Sequence, residues 1–215
     1  MSSERYSRQT DIVPEKRIQQ CQATVIGVGA IGRQVALQLT GIGIPLLQLV
    51  DFDTVEESNL ASQGYLQDDL TRPKVDATRE LCRRINSSVE VRVEFDRFNR
   101  RMKVGNAVFC CVDSIQTRKL IWESVKDRVS FYSDGRMTAE VLRVLTASDT
   151  QSRDYYLTTL FEPEQAFAGT CTTKTTIYCA NIAAGLMLSQ FTRYLRLLPV
   201  DKDIRMNLLA MELTA

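Results

Sequence analysis

The stretch Thr24-Val25-Ile26-Gly27-Val28-Gly29-Ala30-Ile31-Gly32-Arg33 constrains this chain most. A β-branched, apolar run enters a glycine turn, and a helical pattern leaves it. The three glycines fit G-x-G-x-x-G. In that pattern Gly27 allows the tight turn, Gly29 lets backbone approach a phosphate, and Gly32 lets the helix pack on the sheet. The amides that open the helix carry partial positive charge and suit an anion. Glycines also serve turns and packing, so the flanks matter. A second apolar run, Pro45 to Val50, ends in Asp51, about 20 residues beyond the turn, where an acid can bind ribose hydroxyls.

The order of elements extends this reading. Strand, helix and strand patterns run from Ala23 to Asp51. A polar stretch from Thr54 to Leu70 has no clear period, and a connection of that length in an α/β domain is often functional. Arg72-Pro73-Lys74 opens a helix to about Ile85. Two cations at a helix start oppose its dipole, and a bound anion or solvent screening would relieve them. Val89 to Phe95 alternates as a strand with one wet face, and Ala107 to Val112 is a continuous buried strand ending in Asp113. The cations Arg97, Arg100, Arg101 and Lys103 between them read as a solvated loop. Ser114 caps a helix to Lys126, and Val129 to Tyr132 is the next strand. This β-α-β-α-β-β-α-β order predicts an α/β fold, a Rossmann-like, doubly wound and mainly parallel sheet, with ligands beyond its carboxyl edge.

After residue 135 the pattern changes, and a small C-terminal β/α extension is expected over about residues 136–215. One domain, with its nucleotide-binding part in residues 1–135, is the simplest organisation. Ala139 to Thr146 reads as a strand, Asp154 to Leu160 as another, and Phe161 to Gly169 as a loop. A helix from about Thr176 to Leu198 is interrupted by Asn181, Gln190, Arg193 and Arg196, so it is read as a core helix and not as a membrane span. Ile204 to Leu213 reads as one final strand.

Composition excludes several chemistries. The chain has no histidine, which removes His-based triads and His metal ligands. None of its six cysteines forms C-x-x-C, so no zinc is expected. A net charge of +1 points to neither nucleic acid nor an anionic membrane. Free thiols and the lack of an apolar leader at the N-terminus give a cytoplasmic setting as the default.

The ordered set Arg5-Tyr6-Ser7-Arg8-Gln9, the glycine turn, Asp51-Phe52-Asp53-Thr54-Val55, Asn59-Leu60 with Gln63, Arg72-Pro73-Lys74, and Asp113 with Arg118 resembles the ThiF/MoeB/HesA family. These are prokaryotic relatives of ubiquitin-activating enzymes, and the resemblance covers nearly the whole chain. It implies an ATP- and magnesium-dependent adenylyltransferase. The substrate implied is the C-terminal carboxylate of a small ubiquitin-like or sulfur-carrier protein ending in glycine. It further implies that Gly27, Gly29 and Gly32 form the nucleotide turn and that Asp51 binds ribose, with Asp53 beside it in the nucleotide-binding set. Asn59, Gln63 and Lys74 would approach the phosphates, and Asp113 would help hold magnesium. Arg8 would reach the partner's nucleotide within a homodimer. Taken singly, Asp51 is equally a strand-end cap, Asp113 a turn residue, and Lys74 and Arg8 solvated charges.

Two departures bear on activity. The family carries a phosphate-binding arginine where this chain has Ser62, which leaves open a weakened enzyme, another phosphate clamp, or a nucleotide-binding pseudoenzyme. The paired zinc motifs of many relatives are missing. Cys171, in Gly169-Thr170-Cys171-Thr172-Thr173-Lys174, falls where thioester- or persulfide-forming relatives carry their cysteine. A helix start and Lys174 would lower its pKa, and a spare thiol is the alternative. The other five cysteines lie in apolar patterns and are read as core. A nicotinamide-dependent oxidoreductase is a second class for the same glycine turn, but no hydride-transfer acid is evident.

Overall fold

The computed structural model describes residues 4–160 and 174–215. A 3-10 helix (Glu4–Gln9) and one helical turn, α1 (Glu15–Ile18), precede β1 (Gln22–Ile26), which feeds the glycine turn and α2 (Ala30–Ile42). Gly43 closes α2 in the left-handed conformation, φ 90°, with its N–H on the Leu39 and Thr40 carbonyls. The Tyr6 ring fills the space beside it, and Asn86 Nδ2 donates to the Tyr6 hydroxyl. The N-terminal segment is thereby fixed to the far end of α2.

β2 (Leu46–Val50), α3 (Glu57–Gln63), a 3-10 turn (Gln67–Asp69), α4 (Lys74–Ile85) and β3 (Glu90–Glu94) follow. Then come β4 (Ala107–Cys110), α5 (Ile115–Val125), β5 (Phe131–Thr138) and β6 (Val141–Ala147). α6 (Thr150–Thr158), α7 (Ile177–Leu195), β7 (Asp203–Asn207) and β8 (Glu212–Thr214) complete the described chain. Ser114 caps α5 as the sequence predicts, accepting from the Thr117 N–H.

All eight strands form one sheet in the order β3-β2-β1-β4-β5-β6-β7-β8. The first five are parallel, and β5 to β8 pair antiparallel. The expected doubly wound, mainly parallel sheet with a β/α extension is what forms. The direction of winding reverses between β1 and β4, the switch point beyond whose carboxyl edge sheets of this kind take their ligands. Successive residues of β1 face opposite sides: Val25 packs with α2, α4 and α7, while Ile26 packs with Trp122 of α5 and Tyr156 of α6.

Three local expectations are corrected. Asp154 to Leu160 lies mostly in helix α6 and not in a strand. Asp149 accepts from the Ser152 N–H at 2.8 Å while Ser152 Oγ accepts from the Asp149 N–H at 3.1 Å, and this capping box outweighs the β preference of Tyr155-Tyr156. Ile204 to Leu213 is two strands: Asn207 Oδ1 accepts from Leu209 and Ala210 N–H and turns the chain without glycine. The unpatterned Thr54 to Leu70 stretch contains α3. Among the described residues no helix is long and apolar enough to cross a membrane. Cys21, Cys82, Cys110 and Cys179 are buried as expected, and Cys111 is half-buried.

Candidate functional site

The carboxyl ends of β1, β2 and β4 converge on the glycine turn. Gly27 must be glycine for two reasons. Its φ is 85°, and a Cβ there would stand 2.8 Å from the Cys111 carbonyl at the end of β4. A Cβ on Gly32 would stand 1.8 Å from the Gly27 oxygen. Gly29 is different. Its Cβ would meet only Gln63 Oε1, at 3.7 Å, an ordinary contact. Packing therefore does not require glycine at residue 29. It is the N-cap of α2 and offers no capping side chain, so the first amides and the positive end of the helix stand uncapped at the carboxyl edge.

This contrast sets an expected result. Gly32→Ala will destabilise the fold by about 3 kcal/mol, because the turn itself must move. Gly29→Ala will cost about 1 kcal/mol or less. Urea melts of the two variants check it, and equal losses would show that residue 29 is constrained by packing after all.

Asp51 is 8% exposed and ties the turn to β2. Its Oδ2 accepts from the Val28 N–H at 2.6 Å and its Oδ1 from the Asp53 N–H at 2.8 Å. Burial raises its carboxyl pKa, against the pull of these two backbone donors. Each oxygen keeps a lone pair for another donor. Lys74, at the start of α4, is 7% exposed and pairs with Asp53 Oδ2 at 3.1 Å. Arg72 pairs with Asp69 at 3.2 Å and with Glu80 at 2.7 Å, so the chain's own acids relieve the cations for which the sequence offered a bound anion or solvent screening.

On α3, Asn59 accepts from the Glu56 N–H at 3.1 Å and so caps its own helix. Gln63 ends α3 with Oε1 buried and unpartnered among the described residues, beside Gly29. Ser62 Oγ donates back to the Ser58 carbonyl at 2.8 Å. Asp113 is exposed, three residues past the end of β4, on the same edge as Gly27. The structure thus gathers Gly27, Gly29, Gly32, Asp51, Asp53, Asn59, Gln63, Lys74 and Asp113 at the carboxyl edge. Arg8 is not among them. Its segment is fixed at the other end of α2, where Gln9 Nε2 donates to the Ile42 carbonyl at 2.9 Å. α2 is 13 residues long, which puts that anchor about 20 Å from the turn. Cys171 lies outside the described residues.

Sequence reasoning missed two buried clusters. Behind the turn, Arg33 sits against Tyr65, whose hydroxyl donates to the Val28 carbonyl at 2.6 Å. Beside β4, the fully buried Asp134 pairs with Arg118 and Arg136 and accepts from the Tyr156 hydroxyl at 2.9 Å. Burial pushes the Tyr156 hydroxyl up to about 12, so it remains a donor. Arg118 also donates to the Val112 carbonyl, next to Asp113. The available signal was an arginine at an inward position of a helix, at residues 33 and 118.

The ThiF family model matches residues 6–210. The chain belongs to the ThiF family. The sulfur carrier protein ThiS adenylyltransferase of Bacillus subtilis is 30% identical over 141 residues, 59% of this chain and 42% of that protein. The molybdopterin-synthase adenylyltransferase of Salmonella typhimurium is 32% identical over 126 residues, 53% of this chain and 50% of that one. The ubiquitin-like modifier-activating enzyme 5 of Caenorhabditis elegans is 32% identical over 122 residues, covering 49% and 29%. This ThiF-family chain therefore spans half the length of these relatives or less. The crystal structure of E. coli MccB with AMPCPP and MccA superposes with a TM-score of 0.79 at 17% identity, covering 99% of this chain and 71% of that one. At that identity the likeness speaks for the fold alone.

Proposed function

We propose that this ThiF-family chain adenylates the C-terminal carboxylate of a small ubiquitin-like or sulfur-carrier protein, using ATP. The observation that carries this reading is the open N-terminus of α2 at Gly29, whose missing side chain no neighbour explains. Lys74 adds a cation for an anion, and Gln63, beside Gly29, adds a side-chain amide. The relatives' adenylyltransferase names support the same chemistry. One oxygen of the acceptor carboxylate attacks the α-phosphorus, the α–β phosphoanhydride bond breaks, and pyrophosphate leaves. Attacker and target are both anionic, so the protein's part is to position them and offset charge.

In this reading the α2 amides seat the phosphates, and Lys74 exchanges Asp53 for a phosphate oxygen. The free lone pairs of Asp51 accept ribose hydroxyls, and the side-chain amides of Asn59 and Gln63 donate to the phosphates. A magnesium ion fits as part of the substrate: Asp113 is an exposed carboxylate, and magnesium commonly takes one or two carboxylates plus substrate phosphates. No cluster of three ligating residues exists among the described ones, which suits an ion carried in by ATP. Bound there, the ion would neutralise phosphate charge. Cys171 is the proposed acceptor thiol after adenylation. Cys171→Ser should then keep pyrophosphate exchange and lose any adduct that thiol reagents release, and an adduct that persists would remove it from the reaction. The five described cysteines are free thiols, in keeping with a reducing cytoplasm.

The chain is further proposed to act as a homodimer, with Arg8 serving the site of the other subunit, because its anchor is a helix length from its own.

Calorimetry tests the nucleotide assignment. ATP with magnesium should bind more tightly than NAD, and Asp113→Ala should weaken ATP–magnesium at least about tenfold. Tighter binding of NAD would overturn the reading. A second reading, a nucleotide-binding protein without turnover, is favoured by Ser62, whose hydroxyl turns away to Ser58. ATP binding without pyrophosphate exchange, in the presence of a competent carrier protein, would select it.

A further inference from the structure

One fully buried cation has no part in the scheme above. Arg33, on α2, is 0% exposed. A guanidinium has five N–H donors, and burying it with donors unmet is costly. Nη1 donates to Thr78 Oγ1 at 3.2 Å, but Nε and Nη2 have no hydrogen-bond partner among the described residues. Its one ion pair there is with Asp69 at 4.0 Å, beyond hydrogen-bond length. Asp69 is already engaged by Arg72 at 3.2 Å and by the Leu66 N–H at 3.0 Å. The Tyr65 ring, 4.0 Å from the guanidinium carbon, adds only a cation–π contact. The positive charge is under-compensated.

Its location gives that charge a direction. The Arg33 N–H donates to the Gly29 carbonyl, which places the residue one turn into α2. Tyr65, which covers it, donates to the Val28 carbonyl inside the glycine turn. Thr78, which holds it, lies one helical turn beyond Lys74 on α4. The guanidinium therefore lies behind the glycine turn, between Tyr65 and Thr78. α3, the third wall, has the sequence ESNLASQ and carries no cation.

We infer that Arg33 is a buried electrostatic anchor for the phosphate groups, its charge completed by an anion seated on the glycine turn. It touches no ligand atom and is a positioning residue. Charge acts over several ångströms here because the intervening medium is protein and not water. Asp69 is the internal counter-ion with which the phosphates compete.

The inference rests on the nucleotide reading, and the probes let the two fail separately. Inorganic tripolyphosphate and adenosine are titrated calorimetrically into the full chain as parent, Arg33→Met, Arg33→Lys and Asp69→Asn. Arg33→Met should weaken tripolyphosphate roughly tenfold and leave adenosine within about twofold, and Arg33→Lys should retain most of the affinity. Asp69→Asn, which removes the competing charge but keeps the shape, should tighten tripolyphosphate severalfold. A merely structural role predicts no such gain. If Arg33→Met does not fold, Asp69→Asn decides alone, and unchanged or weaker tripolyphosphate binding overturns the inference. Equal losses for both probes in Arg33→Met overturn it too. A parent that binds neither probe sinks the nucleotide reading and this inference with it. A parent that binds tripolyphosphate as well as Arg33→Met does sinks the inference alone.

Discussion

Mixing Arg8→Ala chains with Lys74→Ala chains is expected to restore about a quarter of parental pyrophosphate exchange, although each variant alone falls by a hundredfold or more. The loss follows from charge. Lys74 is a buried cation at the carboxyl edge, and one preorganised donor to a developing anionic transition state is worth that much. The recovery follows from distance. Arg8 is exposed on a segment that Tyr6 and Gln9 pin at the far end of α2, so within one chain it is a helix length from the turn. In a two-fold dimer each site takes Lys74 from one chain and Arg8 from the other. Random re-pairing makes half the dimers mixed, and half the sites in those dimers are intact. Native mass spectrometry of isotopically distinct chains verifies that subunits exchange. Exchange without recovered activity would place Arg8 in its own chain's site or in none.

The glycine turn was legible because its constraints are local. Gly27 and Gly32 are fixed by atoms of the turn and of the next parallel strand, so the spacing alone carries them. The doubly wound, mainly parallel class of the sheet followed from the alternation of apolar strand runs with helical periods. Asp51 and Lys74 were legible as functional candidates, yet their contacts were not. Asp51 spends one lone pair of each oxygen on backbone amides, and Lys74 rests on Asp53. The Asp51–Val28 and Lys74–Asp53 contacts span 23 and 21 residues, and no periodicity encodes them. α6 and the β7–β8 turn were misread for a related reason: Asp149 and Asn207 act through side-chain hydrogen bonds that override the β preference around them. Arg33 and Asp134 were overlooked because charged residues are ordinarily assigned to the surface. Each is buried by partners far away in sequence, Thr78 for the first and Arg118 and Tyr156 for the second.

Asp134 gives the second large effect. It is fully buried on β5 and carries two arginines, Arg118 from α5 and Arg136 two residues along its own strand. Tyr156, from α6, donates to the same carboxylate, and Trp122 packs against the Tyr156 ring at 4.7 Å. One carboxylate thus joins α5, α6 and the switch from parallel to antiparallel strands. Asp134→Ala removes the only negative charge in this group among the described residues and leaves Arg118, 5% exposed, without that counter-ion. Breaking a buried pair from one side costs about 3–5 kcal/mol, because the remaining charge stays desolvated. For a domain of this size that lowers the thermal midpoint by roughly 10 °C. Asp134→Asn keeps the shape and part of the hydrogen bonding, so its loss should be smaller than that of Asp134→Ala. Arg118 also donates to the Val112 carbonyl beside Asp113, so the damage should extend to the nucleotide edge. Asp134→Asn chains that remain folded should therefore bind ATP–magnesium more weakly, with adenosine affinity unchanged. Thermal melts and the two titrations together check this. A midpoint within about 2 °C of the parent for Asp134→Ala would mean that water or local rearrangement compensates both arginines, and the carboxylate would then not be what holds α5 and α6 to the sheet.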